Sequence, residues 1–274
     1  MWRTIAAMSD LASKYGPYAL ILGGTAGIGA GFSAALARAG VSPLVVARAA
    51  DAPGEFAQRL AAETGCDARG FALDLADDDA IAEVAELTAE LDVGLVVYVA
   101  AVSLVGPFES HSAEAKRRAL SVNCRGPLET CDVFLPRLRA RGRGGLILMS
   151  SASGHQGTGW VSTYAATKAF NTVLAEGLWW EYREQGVDVL AVEAGRTETP
   201  TYRGQRPRDT ATWIAPIQSA DAVASEALAA LGRVPSHLTG TRGRWSTRLM
   251  RTLLPRRTLV ALYGSSTRAM FEPE

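Results

Sequence analysis

Six short apolar runs alternate with stretches of helical composition, and this alternation restricts the fold more than any other feature of the chain. The runs of strand length cover residues 18–22, 43–47, 70–73, 94–99, 145–149 and 187–192. Stretches rich in Ala, Leu and Glu lie between them, at residues 28–39, 55–63, 78–90 and 113–139. Apolar strands joined by helices form a parallel sheet that is covered on both faces. The sequence therefore predicts an α/β fold with a doubly wound parallel sheet, whose ligands bind at the carboxyl ends of the strands.

Size and charge limit the classes of function. The chain has 274 residues, 48% of them hydrophobic, which suits one domain over residues 1–274 with its core at about 15–232. The formal net charge is zero, so no basic field is available for nucleic acid. The N-terminal segment lacks the pattern of a signal peptide, and no apolar run has the length of a membrane span. We therefore expect a soluble cytoplasmic protein without a nucleic-acid or membrane partner.

Cysteine and histidine are too sparse for a disulfide framework or a metal cluster. The cysteines form no CxxC pair, and the histidines lie far apart in the sequence: Cys66, Cys124, Cys131, His111, His155 and His237. An odd number of scattered cysteines is typical of a reducing compartment. We therefore expect no bound metal.

A glycine-rich loop follows the first predicted strand. In LGGTAGIGAG, three glycines have the spacing GxxxGxG, directly after a strand and before a helix. Glycines let the backbone approach a pyrophosphate, and a helix N-terminus supplies free N–H groups. An ordinary glycine-rich turn is the alternative, but the surrounding βαβ pattern favours a dinucleotide site. The residues of this loop predicted to bind the cofactor are Gly23, Thr25, Gly27, Ile28 and Gly29.

The ends of the second and third strands indicate which dinucleotide binds. An acidic side chain after the second strand accepts hydrogen bonds from the adenosine ribose, whereas a basic one accommodates a 2′-phosphate. This chain has Ala47 followed by Arg48, with no acid before Asp51. The alternative for Arg48 is a solvated charge without a partner. We predict NADPH as the cofactor, with Asp74 at the adenine edge of its site.

Ser151, Tyr164 and Lys168 form a candidate catalytic group. Tyr164 and Lys168 are four residues apart, so on a helix they share a face. A nearby ammonium favours the phenolate, which makes tyrosine a usable general acid or base near neutral pH. Ser151 follows the apolar run GGLILM, where its hydroxyl is placed to bind a carbonyl oxygen beside the tyrosine. Tyr and Lys at this spacing are also common on helix surfaces, so the pair gains its meaning from the glycine loop upstream.

Together these segments resemble the short-chain dehydrogenase/reductase family over about residues 15–231. The resemblance rests on the segments GGTAGIG, Asp74-Leu75, SVNCRGP, ILMSSASG, YAATKAF and EAGRTETP. It implies a seven-stranded Rossmann sheet and a bacterial branch near the 3-oxoacyl and 17-beta-hydroxysteroid reductases. It also implies homodimers or homotetramers built on helices at about 113–139 and 160–185.

The same resemblance implies roles for individual residues. Tyr164 donates or accepts the proton, and Ser151 orients the substrate oxygen. Lys168 lowers the pKa of the tyrosine and binds the nicotinamide ribose, while Asn123 completes a tetrad by holding a water that relays protons to Lys168. The further cofactor contacts that the resemblance implies are Leu75, Ala100, Gly195, Thr197 and Thr199.

Three places depart from the family pattern. Tyr98-Val99-Ala100-Ala101 replaces NNAG after the fourth strand, Ala194-Gly195 replaces PG, and Leu22 replaces a threonine. If the backbone at Ala101 needs a positive φ, the alanine is strained there. These departures bear on cofactor affinity more than on chemistry, because all four tetrad residues remain.

Two segments are predicted to shape the substrate site. Residues 195–219 form a long irregular stretch, typical of a lid or binding loop. The tail at about 242–268 is basic and amphipathic, and Pro255 interrupts it. We therefore expect short helices packed over the cleft or against another subunit, with apolar contacts from Leu249, Leu253 and Leu254, in preference to a membrane-surface helix. The predicted substrate contacts are Ser153, Trp160 and Trp213.

As a whole, the sequence predicts an NADPH-dependent oxidoreductase that reduces a carbonyl, or oxidises the matching alcohol, on a mainly apolar small molecule. The changed NNAG and PG motifs leave open a non-redox reaction on the same fold, as a dehydratase, epimerase or cyclase. A non-catalytic dinucleotide sensor is the third hypothesis, against which the intact tetrad argues.

Overall fold

The computed structural model describes residues 11–208 and 216–272, and its centre is a seven-stranded parallel sheet. The strand order is β3-β2-β1-β4-β5-β6-β9, which is a doubly wound arrangement. The strands are β1 Tyr18–Leu22, β2 Ser42–Ala47, β3 Arg69–Ala72, β4 Val93–Tyr98, β5 Gly144–Ser151, β6 Val187–Ala194, β7 Thr197–Glu198, β8 Gln218–Ser219 and β9 Ser236–Leu238. The predicted fold class is confirmed; the first predicted strand matches β1 and the other five differ from the observed strands by one or two residues at their ends.

Helices cover both faces of this sheet. They are α1 Gly27–Arg38, α2 Pro53–Thr64, α3 Ala80–Leu87, α4 Ala113–Leu120, α5 Gly126–Ala140, α6 Ser162–Tyr182, α7 Pro200–Gly204, α8 Ala220–Ala230, α9 Thr241–Leu253 and α10 Arg256–Phe271. The core on one face contains side chains of α3, α5 and α6, and the core on the other contains side chains of α1 and α8. The central strands are apolar on both sides because both sides are buried.

A π-helical turn joins α4 to α5 within the predicted helix 113–139. It covers Ser121–Arg125 and therefore contains Asn123. The hydroxyl of Tyr98, at the end of β4, donates a hydrogen bond of 2.7 Å to the carbonyl of Val122 in this turn. Gly126 follows the turn, and a Cβ there would lie 2.3 Å from the tyrosine oxygen. Tyr98 and the missing side chain at Gly126 thus fit the turn against the sheet.

The seventh strand has no clear signal of its own in the sequence. β9 is three residues long, and Ser236, His237 and Leu238 pair with Ala191, Val192 and Glu193 of β6. Residues 195–219, predicted to be irregular, contain the short helix α7 and a two-stranded ladder between β7 and β8. Trp213 lies outside the described residues.

The tail after β9 folds as two helices, α9 and α10, separated at Pro255 as predicted. α10 packs on the loop before α6, where a Cβ on Gly159 would lie 3.5 Å from the Cα of Gly264. The two glycines let the backbones of the helix and the loop approach each other. Within residues 11–208 and 216–272, no helix has both the length and the apolarity that a bilayer span requires.

Candidate active site

One large cleft runs along the carboxyl ends of the central strands. Its volume is about 1270 Å³, and it extends from the glycine loop after β1 to the tail helices α9 and α10. Residues at or just after the ends of five strands line it: Gly23, Ala47, Ala100, Ser151 and Ala194. This is where a doubly wound sheet binds its ligands.

The glycine loop is packed so tightly that side chains are excluded from it. Gly23 has φ +92°, and a Cβ there would lie 2.7 Å from the backbone nitrogen of Ala100. A Cβ on Gly29 would lie 1.9 Å from the carbonyl oxygen of Gly23. Gly27 has φ +52° and lies under Thr199, whose methyl carbon would be 2.9 Å from a Cβ. The loop therefore presents bare backbone and the N-terminus of α1 to the cleft, which suits a pyrophosphate.

Most of the predicted cofactor residues meet in the cleft. Those that line it are Gly23, Thr25, Gly27, Ile28, Arg48, Asp74, Leu75, Ala100, Tyr164, Lys168, Gly195, Thr197 and Thr199. Gly29 does not line it and acts by letting α1 pack on the loop. Thr197 donates a hydrogen bond to the Gly195 carbonyl, and Thr199 accepts one from the backbone N–H of Tyr202, which begins α7.

Two ion pairs lie at the part of the cleft where the adenosine half of a dinucleotide would bind. Arg48 Nε lies 3.0 Å from Asp51 Oδ2, and the arginine side chain is 62% exposed. Arg118 of α4 donates a hydrogen bond of 2.7 Å to Asp74. Burial raises the pKa of Asp74, but the hydrogen bonds from Arg118 and from the backbone of Ala76 outweigh it and hold the pKa below its usual value. Both cations are therefore held by acids on this side of the cleft.

Tyr164 and Lys168 share one face of α6 above the end of β5. Lys168 is almost fully buried, and its Nζ donates a hydrogen bond of 2.8 Å to the carbonyl of Met149. Burial lowers the pKa of Lys168 to about 8. The ammonium lies 5.6 Å from the centre of the Tyr164 ring. Burial also raises the pKa of Tyr164, and a hydrogen bond with Ser151 acts in the opposite direction.

Ser151 ends β5 and is held by its neighbour Ser153. The Ser153 hydroxyl donates a hydrogen bond of 3.0 Å to Ser151 Oγ, and the Ser153 backbone N–H lies 3.3 Å from the same atom. Both serines line the cleft beside Tyr164. The structure therefore brings together the serine, tyrosine and lysine that the sequence singled out.

Asn123 lies behind these residues, in the π-helical turn, and does not line the cleft. Its Oδ1 accepts a hydrogen bond of 2.7 Å from the backbone N–H of Val102. Its Nδ2 donates to the Val102 carbonyl at 2.8 Å and to Thr167 Oγ1 at 3.0 Å. Protein atoms thus take up both amide N–H groups. The water relay to Lys168 stays a prediction.

Sequence analysis missed the polar residues that fix α6 onto β5. Ser150 Oγ donates a hydrogen bond of 2.7 Å to the carbonyl of Lys168. Thr172 donates one of 2.8 Å to Ser150 Oγ, and Asn171 Nδ2 lies 3.3 Å from the Met149 carbonyl that also binds Lys168. Asn171 and Thr172 lie three and four residues after Lys168 on the same helix, so polar residues at helical spacing on its buried face were the available signal.

The tail helices form the wall of the cleft opposite the catalytic residues. The apolar residues of that wall are Met250, Leu262, Tyr263, Met270 and Phe271. Trp160, a predicted substrate contact, is not among the lining residues; it has φ +66°, and its carbonyl accepts a hydrogen bond of 2.7 Å from Gly106. Leu249 and Leu253 do not pack over the cleft, because both side chains point to solvent, and their contact with another subunit stays a prediction. They lie on the outer face of α9, whereas Thr247 and Met250 face inward.

The changes in the NNAG motif have a structural explanation. Tyr98 is buried in the core and holds the π-helical turn, so the family's first amide is replaced by a phenol with its own partner. Ala101 does not have a positive φ, so the condition for strain at this alanine is not met. Ala100 packs on Gly23 and still lines the cleft.

Comparison with known proteins establishes the family. The model of the short chain dehydrogenase family matches residues 17–210, and the chain belongs to this family of oxidoreductases. It is 30% identical, over 231 residues, to a 7beta-hydroxysteroid dehydrogenase of Clostridium sardiniense, covering 84% of this chain and 88% of that one. It is 33% identical, over 184 residues, to a very-long-chain 3-oxoacyl-CoA reductase of Neurospora crassa, covering 65% of this chain and 55% of that one.

Solved structures agree with this assignment. A structure from work on 7beta-hydroxysteroid dehydrogenase stereoselectivity superposes with a TM-score of 0.86 at 25% identity, covering 93% of this chain and 99% of the other. A short-chain dehydrogenase from Sphingobium yanoikuyae in complex with NADPH has a TM-score of 0.73 at 26% identity, and the match covers 89% of this chain and 95% of the other. The recognised family and its hydroxysteroid and oxoacyl reductase neighbours are therefore confirmed.

Proposed function

We propose that this protein is an NADPH-dependent oxidoreductase that interconverts a carbonyl and an alcohol on a mainly apolar molecule about the size of a steroid. The observation that carries the proposal is the meeting of Ser151, Tyr164 and Lys168 in one cleft with the glycine loop. A proton donor beside a dinucleotide site is what carbonyl reduction requires.

Tyr164 is the proton donor in this proposal. Its raised pKa keeps the phenol protonated at neutral pH, which suits donation to a carbonyl oxygen. Ser151 holds that oxygen through its own hydroxyl, and Ser153 fixes the orientation of Ser151. The nicotinamide, when bound, supplies the hydride. The Lys168 ammonium lies 5.6 Å from the centre of the Tyr164 ring and stabilises the phenolate that remains after proton transfer.

The residues at the nucleotide end fit a phosphorylated dinucleotide. Ala100 and Thr199 leave no space for side chains at Gly23 and Gly27, so the loop offers bare backbone to a pyrophosphate. Arg48 follows β2 and lines the cleft, where a 2′-phosphate would replace Asp51 as its partner. The NADPH complex of the Sphingobium relative supports the same choice.

The far end of the cleft supports a large apolar substrate. The volume of about 1270 Å³ exceeds the roughly 300–1,000 Å³ of a single small-molecule site, as expected for a cofactor and a substrate together. Met250, Met270 and Phe271 give that end an apolar and adaptable wall. Because the relatives include 7beta-hydroxysteroid dehydrogenases, we propose a fused-ring ketone or secondary alcohol as the substrate class.

Cofactor consumption across a panel of ketones tests this function. The purified protein is incubated with NADPH and steroid ketones, with small acyclic ketones as the matched control. We expect turnover of the steroid ketones and little of the small ones. Loss of substrate without oxidation of NADPH would instead support the non-redox alternative, and absence of any turnover across steroids and oxoacyl thioesters would contradict the proposed substrate class.

We also propose that the protein is a homodimer or homotetramer through α4, α5 and α6. Large apolar side chains are exposed on these helices at Leu120, Leu128, Phe170 and Val173. Such a patch on a soluble domain is typical of a subunit contact. Sedimentation velocity of Val173→Glu tests this: we expect the charge to dissociate the oligomer, whereas a wild-type monomer would contradict the proposal.

A further inference from the structure

The outer face of α9 carries a row of large apolar side chains that serve neither the core nor the cleft. Trp245, Leu249 and Leu253 are spaced by four residues, so they lie on one face of the helix. Their exposed fractions are 69%, 59% and 67%. Thr247 and Met250, on the opposite face, line the cleft. We refer to Trp245, Leu249 and Leu253 as the outer row.

Positive charge surrounds the outer row. Residues 241–271 contain seven arginines and neither aspartate nor glutamate. Arg244 pairs with Glu226, and Arg268 pairs with Glu272. The other five make no ion pair with the residues that the structure describes: Arg242, Arg248, Arg251, Arg256 and Arg257. The surface is therefore apolar and cationic at once.

A second copy of this chain is a poor match for that surface. Two-fold symmetry would place the outer row of one chain against the same row of its partner. Arg248 is three residues from Trp245 and borders the row, and residues 241–271 hold no acid that could pair with it across such a contact, so like charges would oppose association. A partner with an apolar layer beneath a negatively charged surface fits both properties.

We propose that α9 lies flat on an anionic lipid bilayer. The outer row inserts at the boundary between head groups and acyl chains, and the unpaired arginines bind lipid phosphates. A helix that is rich in arginine, has low mean hydropathy and exposes an apolar face has the composition of such interfacial helices. An attachment of this kind holds the protein to one side of a membrane through its surface.

If the proposed function holds, the attachment also places the substrate cleft at the membrane surface. Met250 of α9 lines the cleft from within, while Leu262 of α10 both lines it and is half exposed. The apolar wall of the cleft therefore continues to the outside on the same pair of helices. An apolar substrate dissolved in the bilayer would reach Tyr164 without crossing bulk water.

Vesicle co-sedimentation of the full chain tests the attachment without any measurement of turnover. Vesicles of phosphatidylcholine alone are compared with vesicles that also contain phosphatidylglycerol, at about 0.15 M salt. We expect binding to the anionic vesicles, much weaker binding to the neutral ones, and release from the anionic vesicles at high salt. Arg248→Gln with Arg251→Gln should weaken binding to the anionic vesicles roughly tenfold or more.

Leu249→Ser tests the outer row, and Leu87→Ser is its matched control. Leu87 lies on α3, outside the tail, and its side chain is 43% exposed. Leu87→Ser therefore removes a similar surface side chain. Leu249→Ser should weaken vesicle binding by roughly five- to thirtyfold, because the variant lacks one leucine side chain that the wild type transfers from water into the bilayer. Leu87→Ser should bind as the wild type does. Circular dichroism checks that both variants are folded.

Results of three kinds would overturn the proposal. The first is failure of the wild-type protein to bind anionic vesicles. The second is equal binding to both vesicles, independent of salt, or equal loss in Leu249→Ser and Leu87→Ser. The third is dissociation of an oligomer by Leu249→Ser without vesicle binding, which would assign the outer row to a second copy. None of these results depends on the ketone assay, so failure here leaves the proposed function standing.

Discussion

The phenol of Tyr98 donates its hydrogen bond to the carbonyl of Val122, one residue before the candidate tetrad residue Asn123. The bond joins the end of β4 to the π-helical turn, and both atoms are buried. Backbone groups in such a turn lose their regular helical partners, so a side-chain donor satisfies one of them. Tyr98 therefore fixes the position of the turn that holds Asn123.

Tyr98→Phe should lower the free energy of unfolding by about 1–3 kcal/mol, because it leaves the buried Val122 carbonyl without its donor. Tyr18→Phe is the control: it also removes a tyrosine hydrogen bond, to Asp67, but an exposed one, and should cost about 0.5 kcal/mol or less. Urea unfolding of both variants measures the difference. Equal and small losses would show that the turn does not depend on the phenol.

Tyr164→Phe should lower kcat by roughly 10²- to 10⁴-fold, since only the proton-transferring hydroxyl is removed. The ring remains, so the thermal stability and the affinity for NADPH should stay close to those of the wild type. Steady-state kinetics and cofactor titration together measure these two outcomes. Turnover like that of the wild type would exclude Tyr164 as the proton donor.

Asp51→Asn should tighten NADPH binding by roughly three- to tenfold and leave NADH binding nearly unchanged. The change removes the carboxylate that competes with a 2′-phosphate for Arg48, and the gain is limited because the arginine is exposed to solvent and salt. Arg48→Gln should have the opposite effect on NADPH alone. Fluorescence titration of both cofactors into both variants decides this. If neither variant changes the preference, Arg48 does not contact the cofactor.

As the pH rises, the free energy of unfolding of the wild type should increase relative to that of Lys168→Met. Burial lowers the pKa of Lys168 from 10.5 to about 8, so between these values the unfolded chain holds a proton that the folded chain lacks. Stability then rises with pH, by up to about 1.4 kcal/mol for each pH unit. Cys131, whose pKa burial raises to about 12, acts in the opposite direction, but it is present in both proteins and cancels.

Urea unfolding of both proteins across the range from pH 8 to 10.5 provides the comparison. The cofactor is left out, because its binding would add a further pH dependence. Parallel curves for the two proteins would mean that the lysine keeps its ordinary pKa despite its burial.

The main strands and the catalytic residues could be predicted because their signals are local. Each buried strand is a short apolar run, and Tyr164 and Lys168 share one helix face at a fixed spacing. β9 was not predicted, because a strand of three residues is too short to show a hydrophobic period. The role of Tyr98 was not predicted, because its hydrogen-bond partner Val122 is 24 residues away, in a turn without a local sequence pattern.

The tail shows a different limit. Its amphipathic pattern correctly predicted helices, but a pattern with apolar residues on two faces does not say which face turns inward. Leu249 and Leu253 point away from the cleft, while the smaller Thr247 and the flexible Met250 face it. That choice depends on the shape of the cavity that the rest of the chain provides.

The backbone contact between Gly159 and Gly264 joins the catalytic part of the chain to the tail helix α10. The family model covers residues 17–210, which hold the glycine loop and the catalytic residues, whereas α9 and α10 follow it. One continuous stretch, residues 241–271, thus supplies the apolar wall that α9 and α10 give the cleft. Exchange of that stretch between relatives would transfer substrate range as a unit while the chemistry of hydride and proton transfer stayed in place.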